Sequence, residues 1–193
     1  MKKRFACSAL LVLCSTTATA EDIAQYRDES RAIVGPFMQQ LMAANKKAIM
    51  EGGPEAAIKV CKDIAPGMAG DLSRQHGIRL TRVSLKVRNP LLGTPDAWEQ
   101  QVLKGFEQRA AKGENADAME AAEIAKEPNG SYFRYLKAIA LQPGCVACHG
   151  PAAQIPDNVK VRLAEDYPHD QATGYTPGQI RGAVSIKRPL QNK

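Results

Sequence analysis

The densest chemistry in this sequence lies at Cys145-Val146-Ala147-Cys148-His149-Gly150. Two thiols three positions apart, followed at once by an imidazole, match the C-x-x-C-H attachment pattern. In that pattern the thiols form thioethers with the vinyl groups of a haem and the histidine binds its iron. The cofactor so implied is one covalently attached haem c, with Cys145 and Cys148 as attachment points and His149 as an axial ligand. A cysteine pair has two other common uses. A redox disulfide is expected at a strand-to-helix turn of a βαβ unit, and a zinc site needs a second Cys/His pair at finger or ribbon spacing. Neither context is visible in the sequence.

The start of the chain says where such chemistry would take place. Lys2-Lys3-Arg4 form a positive region, Phe5 to Cys14 an apolar run too short to span a bilayer, and Ala18-Thr19-Ala20 a small-residue cleavage pattern. Residues 1–20 therefore read as a signal peptide cleaved after Ala20, and residues 21–193 as one domain, exported and periplasmic. No later stretch is apolar enough to anchor in a membrane, so no span is expected once the signal is removed. The leader holds three of the 26 basic residues and none of the 20 acidic ones, which leaves a net charge of about +3 on the remainder. That balance is too mild, and the Lys and Arg residues too scattered, to argue for nucleic acid.

Of five cysteines, Cys7 and Cys14 fall in the leader and two belong to the haem motif, so Cys61 is left unpaired. A lone thiol in an oxidising compartment is a buried packing residue, an intermolecular disulfide or a ligand. Residue type alone does not choose among them.

The elements that must position these groups follow from periodicity. From Asp22 to Met50 apolar residues recur at three- and four-residue steps, the pattern of a long amphipathic helix, with a kink or break expected at Gly35-Pro36. Glu51-Gly52-Gly53 ends it, and Pro54-Glu55 open a second helix. On that helix Ala57, Ile58, Cys61, Ile64 and Ala65 share a face, and Pro66-Gly67 should disrupt it. Ile78 to Arg88 alternates like a strand, with a slip at Arg82 that reads as a bulge. Thr94-Pro95-Asp96 starts a helix carrying Trp98, Val102, Phe106 and Ala110. Pro128-Asn129-Gly130 marks a hairpin between strands at Glu120 to Lys126 and Ser131 to Leu141. A short helix near Asp157 to Ala164 and a strand from Ile180 complete the chain. Helices first and hairpin-joined strands later predict an α+β fold, with N-terminal helices on an antiparallel sheet and the haem motif in a loop after a strand.

Small electron-carrying cytochromes place the attachment motif early and a methionine ligand after it. Here the last methionine, Met119, precedes the motif. The sequence instead resembles the c-haem domains of PAS-like fold with His/Cys axial ligation, found as small exported proteins and as extracytoplasmic sensor modules. The resembling pieces are Ala57 to Pro66, Arg88-Asn89-Pro90 with Trp98-Glu99, Phe133-Arg134-Tyr135, Cys145 to Gly150, Ala172 to Tyr175, and Ile180 to Ser185. The resemblance implies that His149 is the proximal ligand and Cys61 the distal one, through its sulfur. Met68, His76 and His169 are the competing ligands, and Arg82, Arg88, Arg134 and Arg181 the candidate partners of haem propionates.

A thiolate ligand stabilises ferric over ferrous iron and lowers the reduction potential. Its displacement on reduction would open a site for a diatomic gas. These expectations lead first to a redox or small-gas sensor acting through a signalling partner, then to a low-potential electron carrier with a redox partner. A haem enzyme comes last, because no acid–base pair can be placed and a filled sixth position blocks substrate.

Overall fold

The computed structural model describes residues 20–190. The leader expected over residues 1–20, with Cys7 and Cys14, lies outside them except for Ala20. Helix α1 (Ala20–Lys59) is two helices joined at Gly52-Gly53, where Gly53 takes φ 75°. That is a left-handed backbone which glycine tolerates, and it is where the sequence predicted one helix to end and the next to begin. The kink expected at Gly35-Pro36 does not form, since the only non-helical residues within α1 are the two glycines. Gly35 and Pro36 both face solvent between buried Val34 and Phe37, so water can reach the carbonyl that proline leaves unpaired while the neighbours hold the helix in the core.

Beyond α1 the chain does not stop at Pro66. It passes through a π-helical turn (Val60–Ile64) directly into α2 (Ala65–His76). Strand β1 (Arg79–Val83) follows, then the single-turn α3 (Pro90–Gly93) and α4 (Ala97–Ala111). The strand expected to run to Arg88 ends at Val83, so the apparent slip at Arg82 is a strand end and no bulge. Helix α4 starts just past the predicted Thr94-Pro95-Asp96 segment, with Asp96 and not Thr94 as its cap: Asp96 accepts from the Glu99 backbone, Glu99 reaches back to the Asp96 amide, and the Thr94 hydroxyl donates to the Pro90 carbonyl. Strands β2 (Glu120–Glu127) and β3 (Gly130–Ala140) form the hairpin around Pro128-Asn129. Helices α5 (Val146–His149) and α6 (Asp157–Asp166) and strand β4 (Ile180–Pro189) complete the fold.

The sheet is antiparallel throughout, in the order β1-β4-β3-β2. Alternation along the strands sorts its two faces. Leu80, Phe133, Tyr135, Val184 and Ile186 pack against Ile33, Val34, Phe37 and Leu41 of α1 and Ala65 and Ala69 of α2. Leu136, Ala138, Ala140 and Ala183 pack on the other face against Leu103 and Phe106 of α4. A third cluster joins Ile58, past the α1 kink, to Ile155, Val159, Leu163 and Tyr167 in and around α6. The architecture is α+β, helices on an antiparallel sheet, as the sequence predicts. Among the described residues no helix is long and apolar enough to cross a membrane.

One charged network is buried on the α4 face. Ser185 Oγ donates to Glu99 Oε1 at 2.6 Å, and Arg134 Nη2 lies 2.6 Å from Asp96 and 3.5 Å from Glu99. Arg134 and Glu99 are 3% and 1% exposed, so neither charge has water to fall back on. Arg134→Leu should therefore lower stability by about 3–5 kcal/mol, because it strands a buried carboxylate. Urea unfolding would measure the loss, and adding Glu99→Gln to the same chain should recover part of it.

Candidate functional site

Because β1 and β3 both run antiparallel to β4, which lies between them, their C-terminal ends flank the start of β4, with Val83 opposite Ala183 and Ala140 opposite Ile180. The Cys145–Gly150 motif leaves β3 at this end of the sheet. It occupies a 3-10 turn (Pro143–Cys145) and the single turn of α5, a tighter structure than the loop expected. Gly150 closes α5 by donating to the Val146 carbonyl at 2.8 Å, and a Cβ there would collide with Val146. The residue after the histidine is thus held to glycine by space.

Residues 170–175 strap the motif down. Gly174 and Tyr175 donate their amides to the carbonyls of Gly150 and His149 at 2.8 and 2.9 Å. Arg88 ties the strap to the motif from a third direction. Its side chain, 9% exposed, donates to the Cys148 carbonyl at 2.5 Å, to Asp170 Oδ2 at 3.0 Å and to the Ala172 carbonyl at 3.4 Å.

These contacts fix the state of His149. Its Nδ1 lies 2.7 Å from the Ala172 carbonyl oxygen. A carbonyl only accepts, so Nδ1 carries the proton and Nε2 keeps its lone pair. Burial, with the Arg181 and Arg88 charges adding to it, holds the imidazole well below the ordinary histidine range, and it is neutral. Arg181 Nε–H also points at the ring, 3.1 Å from Nδ1 and 3.5 Å from Nε2. A neutral imidazole with Nδ1–H on a carbonyl and the lone pair on Nε2 is what an iron ligand requires, and by that measure the residues fit a haem.

Cys61 reaches the same site from the opposite side of the sequence, on the π-helical turn. The Ala65 amide bonds back five residues to the Val60 carbonyl, and Pro66 has no amide to offer. The Cys61 carbonyl thereby loses both its α-helical and its π-helical partner, and Arg82 Nη2 donates to it instead at 3.3 Å. The turn also rotates the helix face the sequence predicted: Ile64 is 46% exposed, while Cys61 is half-buried. Its thiol donates to Asn45 Oδ1 at 3.6 Å, and Asn45 is oriented by donating its own amide to Leu41 O at 3.1 Å. Cys148 packs against the cluster of Ile58, Ile155, Val159, Leu163 and Tyr167, and Ile58 lies three residues before Cys61 on the same helix. The structure thus gathers Cys61, Cys148 and His149 at one end of the sheet, with Cys145 exposed beside them.

The competing ligands lie elsewhere. Met68 packs on the α1–α2 core, His76 is exposed at the end of α2, and His169 is exposed on the chain after α6. Of the four arginines, Arg134 is committed to Asp96 and Glu127 in the network under α4, while Arg82, Arg88 and Arg181 surround His149. Ser84, Asn45 and Ala172 carried no individual signal in the sequence. The spacing from Cys61 to Pro66, one π-helical step, did carry one.

A family model described as "Tll0287-like: Tll0287" matches residues 13–189. A solved structure described as "Crystal structure of the cyanobacterial heme-protein Tll0287" aligns with a TM-score of 0.61 at 24% sequence identity, covering 91% of this chain and 99% of that one. At that identity the likeness is one of fold. No curated protein matches the chain.

Burial pushes the Cys148 thiol up to about 11, against the opposing pull of Arg88, while Cys145 stands exposed. In chain prepared without cofactor, alkylation near pH 8 should therefore modify Cys145 more than about tenfold faster than Cys148. The Cys148 rate should keep rising with pH toward 11. Peptide mass mapping over time would show equal rates if the motif were not held as described.

Proposed function

The chain belongs to the Tll0287-like family, and from that premise we propose that it is an exported, periplasmic c-type haem protein. In this reading Cys145 and Cys148 carry the thioethers, and His149 and Cys61 are the axial ligands. The observation that carries it is the state of His149, beside two thiols at attachment spacing, with a third thiol delivered by the π-helical turn. The printed description of the similar structure as a heme-protein supports the cofactor. The helices on an antiparallel sheet support the PAS-like likeness.

When bound, the haem supplies a one-electron centre whose potential is set by its axial ligands and its surroundings. The chain's own residues do the rest. Ala172 O holds the His149 tautomer and ring orientation, which keeps that ligand basic. Arg88 fastens the motif to residues 170–172, so the proximal side is rigid. Cys61 sits on a turn whose carbonyl is held by a side chain and not by the helix ladder, which makes the distal side the adaptable one. A rigid proximal and an adaptable distal ligand suit a sensor of redox state or of a diatomic gas such as NO or CO, signalling through a partner protein. A second reading, an electron carrier of low potential, is favoured by the exposure of Cys145, which puts one attachment edge at the surface.

The test is to express the chain with haem-attachment machinery and compare wild type with Cys61→Ala. Both should retain haem through denaturation, seen as added mass on the chain. The ferric wild type should show low-spin thiolate bands that vanish in the variant. Binding of CO by the reduced wild type supports sensing; a reduced wild type that binds neither CO nor NO supports the carrier. Identical ferric spectra in the two proteins would remove Cys61 from the iron.

A further inference from the structure

Three cations lie at the motif end of the sheet with no carboxylate in ion-pair contact. Arg181, half-buried at the start of β4, packs its Nε against the imidazole and donates through Nη1 to Ser84 Oγ at 2.9 Å. Lys86 Nζ donates to the Thr173 carbonyl at 3.1 Å and stands 4.7 Å from the centre of the Tyr175 ring, which Arg181 also faces at 5.6 Å. Arg82 donates Nη2 to the Cys61 carbonyl at 3.3 Å, which leaves its charge uncompensated. Each of these partners is neutral. Among the described residues no carboxylate comes within 4.0 Å of Arg82, Lys86 or Arg181, whereas the fourth cation here, Arg88, pairs with Asp170 at 2.9 Å.

The rest of the chain treats such arginines differently. Buried Arg134 has Asp96 and Glu127, and half-buried Arg188 has Glu29 at 2.8 Å. A guanidinium withdrawn from water without a counter-charge is unfavourable, and Ser84 fixes this one in place with its positive charge uncompensated.

Resting on the haem reading above, we propose that Arg181, with Arg82 and Lys86, forms a carboxylate-binding site for the two haem propionates, Arg181 being the main anchor. The charges fit. Four cations against Asp170 leave three positive charges at this end of the sheet, and two carboxylates bring them to one. The chemistry fits as well, since the planar guanidinium matches a carboxylate with two parallel donors. Arg134 cannot take part, because it lies in the network under α4.

The experiment uses the full chain expressed with haem-attachment machinery, as wild type, Arg181→Gln, Arg181→Lys, Arg82→Gln, Lys86→Gln and, as a distant surface control on α2, Arg74→Gln. Resonance Raman reads the propionate-bending band and redox titration reads the potential. In Arg181→Gln the band should move and the potential should fall, because a lost positive charge no longer favours ferrous iron. Arg181→Lys should keep most of the potential and still shift the band, and Arg74→Gln should leave both unchanged. If Arg181→Gln fails to accumulate, Lys86→Gln, which does not touch the Cys61 turn, should show the same shifts at smaller size. Covalent haem with an unmoved band and potential in every glutamine variant that folds overturns this site and leaves the haem reading standing. A wild type that attaches no haem overturns the haem reading itself.

Discussion

Pro66 has no amide hydrogen, and the turn that carries Cys61 is built around that absence. With the Ala65 amide given to Val60, the next carbonyl, that of Cys61, has no backbone donor within reach, and Arg82 on β1 supplies one. One missing hydrogen thereby links three levels of structure. It ends the π-helical step at the Ala65 to Val60 bond, leaves the Cys61 carbonyl to a side chain, and so fastens the thiol-bearing turn to the end of the sheet through Arg82. The His149 motif leaves β3 at that same end.

The opposite side of the site is held by backbone and not by a turn defect. Gly174 and Tyr175 bond to the carbonyls of Gly150 and His149, the Ala172 carbonyl accepts from Nδ1, and Arg88 with Asp170 closes the strap. The two halves are therefore held differently. His149 is anchored by bonds to the strap, while Cys61 lies on a turn tied to the sheet by Arg82 and to α1 by Asn45. That asymmetry, together with an excess of positive charge around the imidazole, gives the site its character.

Much of this was legible in the residues. The helix break at Gly52-Gly53, the helix start near Asp96 and the hairpin at Pro128-Asn129 all rest on local rules, and local rules survive folding. Two of the differences lie at prolines, where the local expectation is a break. At Pro36 the helix continues because the freed carbonyl faces water. At Pro66 it continues because a π-helical turn and a side chain from another element absorb the missing donor. Arg82 looked like a bulge for a related reason: it interrupts the alternation near a strand end so that its side chain can serve the Cys61 turn. The separation of Arg134 from the other three arginines was not readable at all, since it depends on which face of β3 meets α4. Contacts made by a carbonyl, as at Ala172, leave no trace in residue type.

If the π-helical turn brings the Cys61 sulfur to a haem iron bound by His149, iron K-edge absorption on the purified ferric protein counts that neighbour directly. One sulfur is expected in the first coordination shell, with nitrogen for the remainder. A shell of nitrogen and oxygen alone, in protein with haem attached at Cys145 and Cys148, would contradict it.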